Sequence, residues 1–224
     1  MKCSIIIVAA GSSTRFGKDK QTALFRGMPL FLHSVRAFLP LAEEVTVVVP
    51  AGREAEFRQL ATAHGIEGVA FVAGGECRSA SVQNGLNSLK SQDGFVAIHD
   101  AARPLATPEM LQELLETASR TGGAIPGHRV VDTLLRSDDN GIVTEPIPRK
   151  NAWAISTPQV FDLKRLREAY RLSGGESFTD DSQVFIHAGG KVALVEEKSA
   201  NPKITFPGDI RRLEMLSSKE ETEQ

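Results

Sequence analysis

Residues 5–20 read IIIVAAGSSTRFGKDK, a continuous apolar run that leads directly into glycines, hydroxyls and cations. Runs that are apolar on both faces are typical of strands in a parallel sheet covered by helices. The small residues of the following loop leave backbone N–H groups accessible, and Arg15, Lys18 and Lys20 supply positive charge for a phosphate. The stretch therefore predicts a buried first strand followed by an anion-binding loop. The alternative is an ordinary strand-to-helix turn with a solvated basic edge.

The spacing of the glycines does not fit two common phosphate loops. A P-loop has four residues between its glycines and then Lys followed by Ser or Thr, whereas five residues separate Gly11 from Gly17 here and the lysine is followed by Asp19. A dinucleotide fingerprint would need glycines where Ser13 and Phe16 stand. A reductase on a dinucleotide-binding fold is therefore disfavoured.

The composition is that of an ordinary globular protein. The chain has 224 residues, 41% of them hydrophobic and 24% charged, with a formal net charge of −2. These values predict a single domain over residues 1–224, with no broad attraction to nucleic acid or to an anionic membrane. The apolar run at residues 5–10 is too short for a signal peptide or a membrane span. Because Cys3 and Cys77 lack metal-ligand spacing, we expect a reduced, cytoplasmic protein.

Apolar runs alternate with segments of helical periodicity along the chain. Strands are predicted at residues 4–9, 45–49, 69–72, 95–98 and 192–195, and helices at residues 30–39, 54–63, 79–89 and 108–120. Alternating strands and helices indicate the α/β class with a mostly parallel central sheet.

One segment departs from this alternation. Residues 130–136 and 142–147 are strand-like and are joined by a turn that contains Asn140-Gly141, a strong hairpin signal. We therefore expect a protruding β-hairpin arm at about residues 130–152. Two strands with little apolar surface are marginal alone, so the arm is expected to pack on a second subunit; a hairpin folded back on its own domain is the alternative.

Two further loops should lie at the same edge of the sheet as the first, because ligands of open α/β sheets bind at the carboxyl ends of the strands. In AGGECRSASVQNGL, Gly75 allows close backbone approach while Arg78 and Ser81 stand at a helix start. In AIHDAARP, Asp100 is suited to a Mg²⁺-bound water or sugar hydroxyls and Arg103 to a phosphate. The alternative for this pair is a mutual ion pair or a helix cap. The histidine before Asp100 is interpreted as structural.

In order along the chain, the motifs AAGSSTRFG…K, GG-x-x-R-x-x-S, HDAARP, DT, PR…W…TPQ, TDD and N-x-K-I-T resemble those of the 2-C-methyl-D-erythritol 4-phosphate cytidylyltransferase family. The resemblance spans nearly the whole chain. It implies a Rossmann-like nucleotidyltransferase fold that transfers CMP from CTP to 2-C-methyl-D-erythritol 4-phosphate in the non-mevalonate isoprenoid pathway. It also implies Mg²⁺ held mainly by the triphosphate, and a homodimer formed through the arm.

The resemblance also implies roles for particular residues. Three cations should surround the α-phosphorus of CTP: Arg15, Lys20 and Lys203. Seven residues should bind CTP: Ala9, Ala10, Gly11, Gly75, Glu76, Arg78 and Ser81. Four residues should bind the polyol phosphate: Asp100, Arg103, Thr157 and Thr179. Two residues of the arm should enter the partner's site: Thr133 and Arg149.

The sequence has no arrangement typical of a nucleophile and its base, which fits this chemistry because a phosphate monoester is mostly ionised at neutral pH.

Asp19 departs from the family pattern and would repel a triphosphate unless Lys18 or Lys20 offsets its charge. Leu135 stands where relatives often carry a basic residue, so recognition of the polyol is the weaker inference. The alternatives are a ribitol 5-phosphate cytidylyltransferase and a CTP-binding module without catalysis.

Overall fold

The computed structural model describes residues 1–11, 16–17, 19–174 and 178–220. Within this part of the chain, strands and helices alternate as predicted for the α/β class. The strands are β1 (Cys3–Val8), β2 (Leu24–Phe25), β3 (Met28–Pro29), β4 (Glu44–Val49), β5 (Val69–Ala73), β6 (Phe95–Asp100), β7 (Gly123–Arg129), β8 (Leu134–Ser137), β9 (Val143–Ile147), β10 (Trp153–Ile155), β11 (Gln159–Asp162) and β12 (Ala193–Glu196). The α-helices are α1 (Leu30–Phe38), α2 (Glu54–Ala63), α3 (Arg78–Ser88), α4 (Pro108–Thr121), α5 (Leu163–Leu172), α6 (Asp181–His187) and α7 (Pro207–Glu220).

The first strand lies in the middle of the main sheet, whose order is β10-β7-β11-β6-β1-β4-β5 with β12 paired to β7. It runs parallel to β4 on one side and to β6 on the other, so that Ile5 pairs with both Val45 and Ala97. Because β4 also pairs in parallel with β5, the carboxyl ends of these four strands meet at one edge. The predicted parallel sheet is confirmed.

Helices cover both faces of this sheet, as the continuous apolar runs require. Ile5 and Ile7 belong to a core cluster formed with α1, α2 and α4. Ile6 points to the opposite cluster, formed with α3, α5 and α6. All three isoleucine side chains are fully buried, so an alternating pattern with one polar face would not have suited this strand.

Apart from β12, which was predicted at residues 192–195, the other half of the sheet was not predicted from the sequence. Strand β11 runs antiparallel to both β6 and β7, and β10 runs antiparallel to β7. Strand β7 contains Gly123, Pro126 and Gly127, which normally weaken a strand. A Cβ atom on Gly127 would lie 2.8 Å from the carbonyl oxygen of Ala154. The glycine is therefore explained by the close approach of β10.

The hairpin arm is confirmed and consists of β8 and β9, with Leu134 opposite Ile147. Its turn is stabilised by the carboxylate of Asp138, which accepts hydrogen bonds of 2.9 Å from the N–H groups of Asn140 and Ile142. Gly141 has a φ of +80°, which explains the glycine at this position. Among the helices of the described residues, none combines the length and apolar character needed to cross a membrane.

Candidate active site

The carboxyl edge of the parallel strands carries two adjoining cavities. The first cavity, of about 500 Å³, lies between the loops after β1, β5 and β6. The second cavity, of about 370 Å³, lies between the loop after β6, the segment joining β10 to β11, and the start of α6. Arg78, Asp100 and Lys203 line both cavities. A group bound in one cavity would therefore lie next to a group bound in the other.

Most residues predicted to bind CTP line the first cavity. They are Ala10, Gly11, Gly75, Glu76, Arg78 and Ser81. Ala9 lies behind the cavity wall, because it is fully buried and its N–H donates to the carbonyl oxygen of Val48 at 2.7 Å. Six of the seven predicted residues therefore lie around one cavity, whereas the Ala9 amide is already used by the sheet.

Glycines allow the loops of the first cavity to approach each other closely. A Cβ atom on Gly74 would lie 2.3 Å from the Cβ of Ala10 and 3.0 Å from Oγ of Ser81. The N–H of Gly75 donates to the same Ser81 hydroxyl at 3.1 Å, and that hydroxyl donates to the Cys77 carbonyl at 3.0 Å. Cys77 also caps α3, since its Sγ accepts a hydrogen bond from Ala80 N–H. These contacts fix the start of α3 against the loop after β5, and Gly74 brings that loop close to Ala10 after β1.

Two of the three cations predicted to be catalytic line the first cavity. Lys20 donates from Nζ to the carbonyl oxygen of Ile204 at 2.9 Å. Lys203 donates from Nζ to the carboxylate of Asp100 at 2.6 Å. The segment carrying Lys203 is attached to the loop after β6, because Ile204 N–H donates to the Ala102 carbonyl at 2.9 Å. Lys20 and Lys203, far apart in sequence, are thus brought to one cavity.

Arg15 lies outside the described residues, and so does Lys18. Asp19 is described, and its carboxylate forms an ion pair with Arg53, next to the start of α2. The same carboxylate accepts a hydrogen bond from the N–H of Gln21 at 3.1 Å. The charge of Asp19 is therefore offset by Arg53, a residue that the sequence did not suggest, while Lys20 bonds to Ile204.

A buried charged cluster joins the two cavities. The Arg78 guanidinium lies 3.3 Å from Asp100 and 2.8 Å from Asp181. Asp181 is fully buried and accepts a hydrogen bond of 2.5 Å from the Tyr170 hydroxyl. Burial tends to raise the pKa of Asp100, but the charges of Arg78 and Lys203 outweigh it and hold that pKa below its ordinary value. Asp100 is therefore an anion held between two cations.

Sequence reasoning missed the part that Asp181 plays in this cluster. Thr179-Asp180-Asp181 has the pattern of a helix cap followed by an acidic first turn, and Asp180 does cap α6 by accepting a hydrogen bond from Gln183 N–H at 3.1 Å. An acidic residue at such a position is normally solvated. Asp181 instead pairs with Arg78, and no signal in the local sequence distinguishes it from a solvated acid.

The four residues predicted to bind the polyol phosphate all line the second cavity: Asp100, Arg103, Thr157 and Thr179. The alternative of a mutual pair between Asp100 and Arg103 is not what the structure has, because Asp100 pairs with Arg78 and Lys203. The hydroxyl of Thr157 accepts a hydrogen bond of 3.0 Å from the Asp100 N–H. This bond holds the strand end against the wall of the cavity.

His99 has the structural environment that its sequence position indicated. It is fully buried and lies within hydrogen-bond distance of Ser34 and Thr157, both at 3.1 Å. Burial lowers the pKa of His99 to about 4, so the ring is neutral at physiological pH.

The two predicted arm residues lie outside both cavities of their own chain. Thr133 is exposed just before β8, and Arg149 is exposed after β9, where its guanidinium donates to the Val131 carbonyl. Their predicted entry into a partner's site is not tested by a single chain and stays a prediction.

Two cavities that share a charged wall allow two phosphorus groups to be bound side by side, which is the geometry that transfer of a nucleotidyl group requires. The fold and the site together define a nucleotidyltransferase. The family model for IspD, 2-C-methyl-D-erythritol 4-phosphate cytidylyltransferase, matches residues 3–218. The chain belongs to the 2-C-methyl-D-erythritol 4-phosphate cytidylyltransferase family.

Individual relatives agree with this family assignment over the whole length of the chain. The enzyme of this name from Halalkalibacterium halodurans is 35% identical, covering 99% of each chain. The crystal structure of the Thermus thermophilus enzyme is 31% identical with a TM-score of 0.79, covering 95% of this chain and 98% of that one. The Francisella tularensis structure has a TM-score of 0.83 at 26% identity, covering 96% of this chain and 100% of that one. The fold predicted from the sequence is therefore shared with solved members of the family.

Proposed function

We propose that this chain transfers the cytidylyl group of CTP to 2-C-methyl-D-erythritol 4-phosphate, giving 4-diphosphocytidyl-2-C-methyl-D-erythritol and pyrophosphate. The observation that carries this proposal is the shared wall of the two cavities, formed by Arg78, Asp100 and Lys203. CTP would occupy the first cavity and the polyol phosphate the second. Membership of the family supports the choice of both substrates.

The reaction needs little from the protein beyond positioning and neutralisation of charge. An oxygen of the polyol phosphate attacks the α-phosphorus of CTP, a new P–O bond forms, and the bond from the α-phosphorus to the bridging oxygen breaks to release pyrophosphate. The attacking group has a second pKa of about 6 and is mostly ionised at pH 7, so no general base is needed. The neutral, buried His99 has no part in this scheme.

Lys20 and Lys203 are proposed to neutralise the charge that develops around the α-phosphorus, together with Arg15. Lys203 suits this role because it lines both cavities and is held at 2.6 Å from Asp100. Lys20 suits it because its bond to Ile204 places it beside the segment that carries Lys203. Fixed cations around a reacting phosphorus are the usual means of catalysing phosphoryl and nucleotidyl transfer.

Recognition of CTP is proposed to depend mainly on the backbone. Gly74 and Gly75 allow the loop after β5 to approach the loop after β1, and the start of α3 supplies N–H groups. Ala10, Gly11 and Ser81 would complete the pocket. Backbone groups fixed in this way can form hydrogen bonds with the polar edge of a cytosine.

The residues present fit a magnesium ion that the nucleotide itself holds. Among the described residues, no group of three or more His, Cys, Asp or Glu is placed to hold a metal. Asp100 supplies one carboxylate where the cavities meet, and Mg²⁺ commonly combines one or two carboxylates with substrate phosphates. We propose that Asp100 binds a water of this ion. When bound, the ion would neutralise charge on the triphosphate.

The arm is proposed to mediate a homodimer in which Thr133 and Arg149 enter the partner's second cavity. Several large apolar side chains of the arm are exposed in the single chain: Val131, Leu135, Ile142 and Val143. Exposed apolar side chains grouped on a short hairpin are typical of an interface.

The cysteines of the chain are unpaired, which supports the proposed cytoplasmic location.

Release of pyrophosphate tests this function directly. The purified chain is supplied with CTP, Mg²⁺ and either 2-C-methyl-D-erythritol 4-phosphate or ribitol 5-phosphate, and kcat/KM is compared. We expect turnover with the first acceptor to exceed turnover with the second. A preference for ribitol 5-phosphate would overturn the proposed substrate. Tight binding of CTP with no pyrophosphate released from either acceptor would indicate a binding module instead.

A further inference from the structure

Glu197 is a buried carboxylate next to the second cavity. It directly follows β12, and only 8% of its side chain is exposed. Its Oε1 accepts hydrogen bonds from the hydroxyl of Ser156 and from the side-chain amide of Asn201, the latter at 3.3 Å. Its Oε2 lies 3.2 Å from Nδ1 of His128, whose side chain is 63% exposed. A buried carboxylate is tolerated when its oxygens are bonded in this way.

Asn201 connects this carboxylate to the guanidinium of Arg103. Its side-chain amide also donates to the carbonyl oxygen of Thr157 at 2.9 Å and lies 3.2 Å from the hydroxyl of Ser156, and these bonds fix its orientation. Its main-chain carbonyl accepts a hydrogen bond of 2.6 Å from Nη1 of Arg103. Ser156, Thr157 and Arg103 line the second cavity. Glu197 and Asn201 thus support three residues of that cavity.

Arg103 retains an unmet hydrogen-bonding group. Its Nε is buried and has no hydrogen-bond partner among the described residues. Burial lowers the pKa of Arg103, and the charges of Asp100 and Glu197 oppose that effect. A cationic guanidinium with an unsatisfied N–H at a cavity is suited to a phosphate oxygen, which accepts charge-assisted hydrogen bonds.

We propose that Glu197 is a positioning residue for the acceptor phosphate, acting through Ser156 and Asn201 to hold Arg103 in place. The proposal rests on the function proposed above, because it takes the second cavity as the acceptor site. The carboxylate would contribute through the position of its oxygens. Its negative charge is not expected to help, since a negative charge near Arg103 disfavours a second anion.

Two substitutions separate position from charge. Glu197→Asp keeps the charge but withdraws the carboxylate by one methylene from Ser156 and Asn201. Glu197→Gln removes the charge but leaves an acceptor oxygen at the same reach. We expect Glu197→Asp to raise the KM for 2-C-methyl-D-erythritol 4-phosphate about five- to tenfold, with the KM for CTP unchanged. Glu197→Gln should keep both KM values within about twofold of the parent chain.

The matched control is Glu196→Asp, since Glu196 is the exposed neighbour on β12. We expect this variant to leave both KM values unchanged. Asn201→Ala removes the side-chain amide that donates to Glu197 and should give a similar rise in the acceptor KM. The double variant Glu197→Asp with Asn201→Ala should show a rise smaller than the two single effects combined, because both substitutions disturb the contact between Glu197 and Asn201. If Glu197→Asp does not fold, Asn201→Ala compared with Glu197→Gln carries the test.

Some results would overturn the positioning role. They are an unchanged acceptor KM in Glu197→Asp, an equal rise in the KM for CTP, or a Glu197→Gln variant as impaired as Glu197→Asp. If the parent chain releases no pyrophosphate with either acceptor, the proposed function fails instead. The positioning role is then tested by calorimetric titration with inorganic phosphate, which Glu197→Asp should bind about five- to tenfold more weakly than the parent chain. Equal affinity would refute it.

Discussion

Replacing Asp181 by Asn should weaken both the fold and the site, because Asp181 is the fully buried partner of Arg78. The ion pair measures 2.8 Å, and the Asp181 side chain is 0% exposed. Removing one partner of a buried pair typically costs about 3–5 kcal/mol. Arg78 keeps Asp100 at 3.3 Å and its side chain is 25% exposed, so we expect the lower end of the range, about 3 kcal/mol.

In urea denaturation, this loss should lower the midpoint by roughly 1 M, while the dependence of the free energy of unfolding on urea concentration stays unchanged. Tyr170→Phe removes only the hydroxyl that donates to Asp181 at 2.5 Å, and should cost about 1–2 kcal/mol. The control is Glu168→Gln on α5, which breaks an exposed ion pair with Arg171 and should give no measurable shift. If Asp181→Asn unfolded at the same urea concentration as this control, the structural role given to the buried cluster would be refuted.

Four further predictions concern the site and the core. Lys20→Ala should fold normally and lose about 10²–10³ in kcat; near-normal turnover would refute its role. Gly74→Ala should raise the KM for CTP, because the added Cβ would lie 2.3 Å from that of Ala10; an unchanged KM would show that the loops can separate freely. Maleimide should label one thiol, the exposed Cys77, because Cys3 is buried and burial raises its pKa to about 12. CTP should slow this labelling, because Cys77 lines the first cavity. Labelling at the same rate with and without CTP would place the nucleotide elsewhere. Burial lowers the pKa of His99 from 6.5 to about 4. The stability that depends on the neutral ring is therefore fully present above pH 6.5 and is lost as the pH falls towards 4, by about 3 kcal/mol. In a His99→Gln variant, the urea midpoint should fall less between pH 6.5 and pH 4 than it does in the parent chain.

The sequence predicted those features that depend on local patterns. The apolar run around Ile6 predicted a strand buried on both faces, and Asn140-Gly141 predicted the hairpin turn. The rule that ligands bind at the carboxyl ends of parallel strands predicted that Asp100 and Arg103 lie near the glycine loops, whereas the placement of Lys203 at the same site followed only from the family resemblance. These inferences succeeded because strand periodicity and turn chemistry are properties of a few adjacent residues.

Features that depend on distant partners could not be predicted. The sequence offered only Lys18 and Lys20 as cations that could offset Asp19, and the ion pair that Asp19 forms with Arg53 was not predicted. Asp181 stands in the first turn of a helix, where an acidic residue is normally solvated, and its burial depends on residues of α3 and α5. Gly127 is unfavourable in a strand by its residue type, and only the close approach of β10 explains it. In each case the deciding contact comes from a part of the chain that local sequence does not specify.

The central claim is that folding gathers separate cations around the α-phosphorus of a nucleotide where the two cavities meet. The most direct measurement is a crystal structure of the chain with bound CTP and Mg²⁺. The account predicts Nζ of both Lys20 and Lys203 within hydrogen-bond distance of the phosphate oxygens, with the α-phosphorus between the two cavities. CTP bound with its α-phosphorus away from both lysines would contradict it.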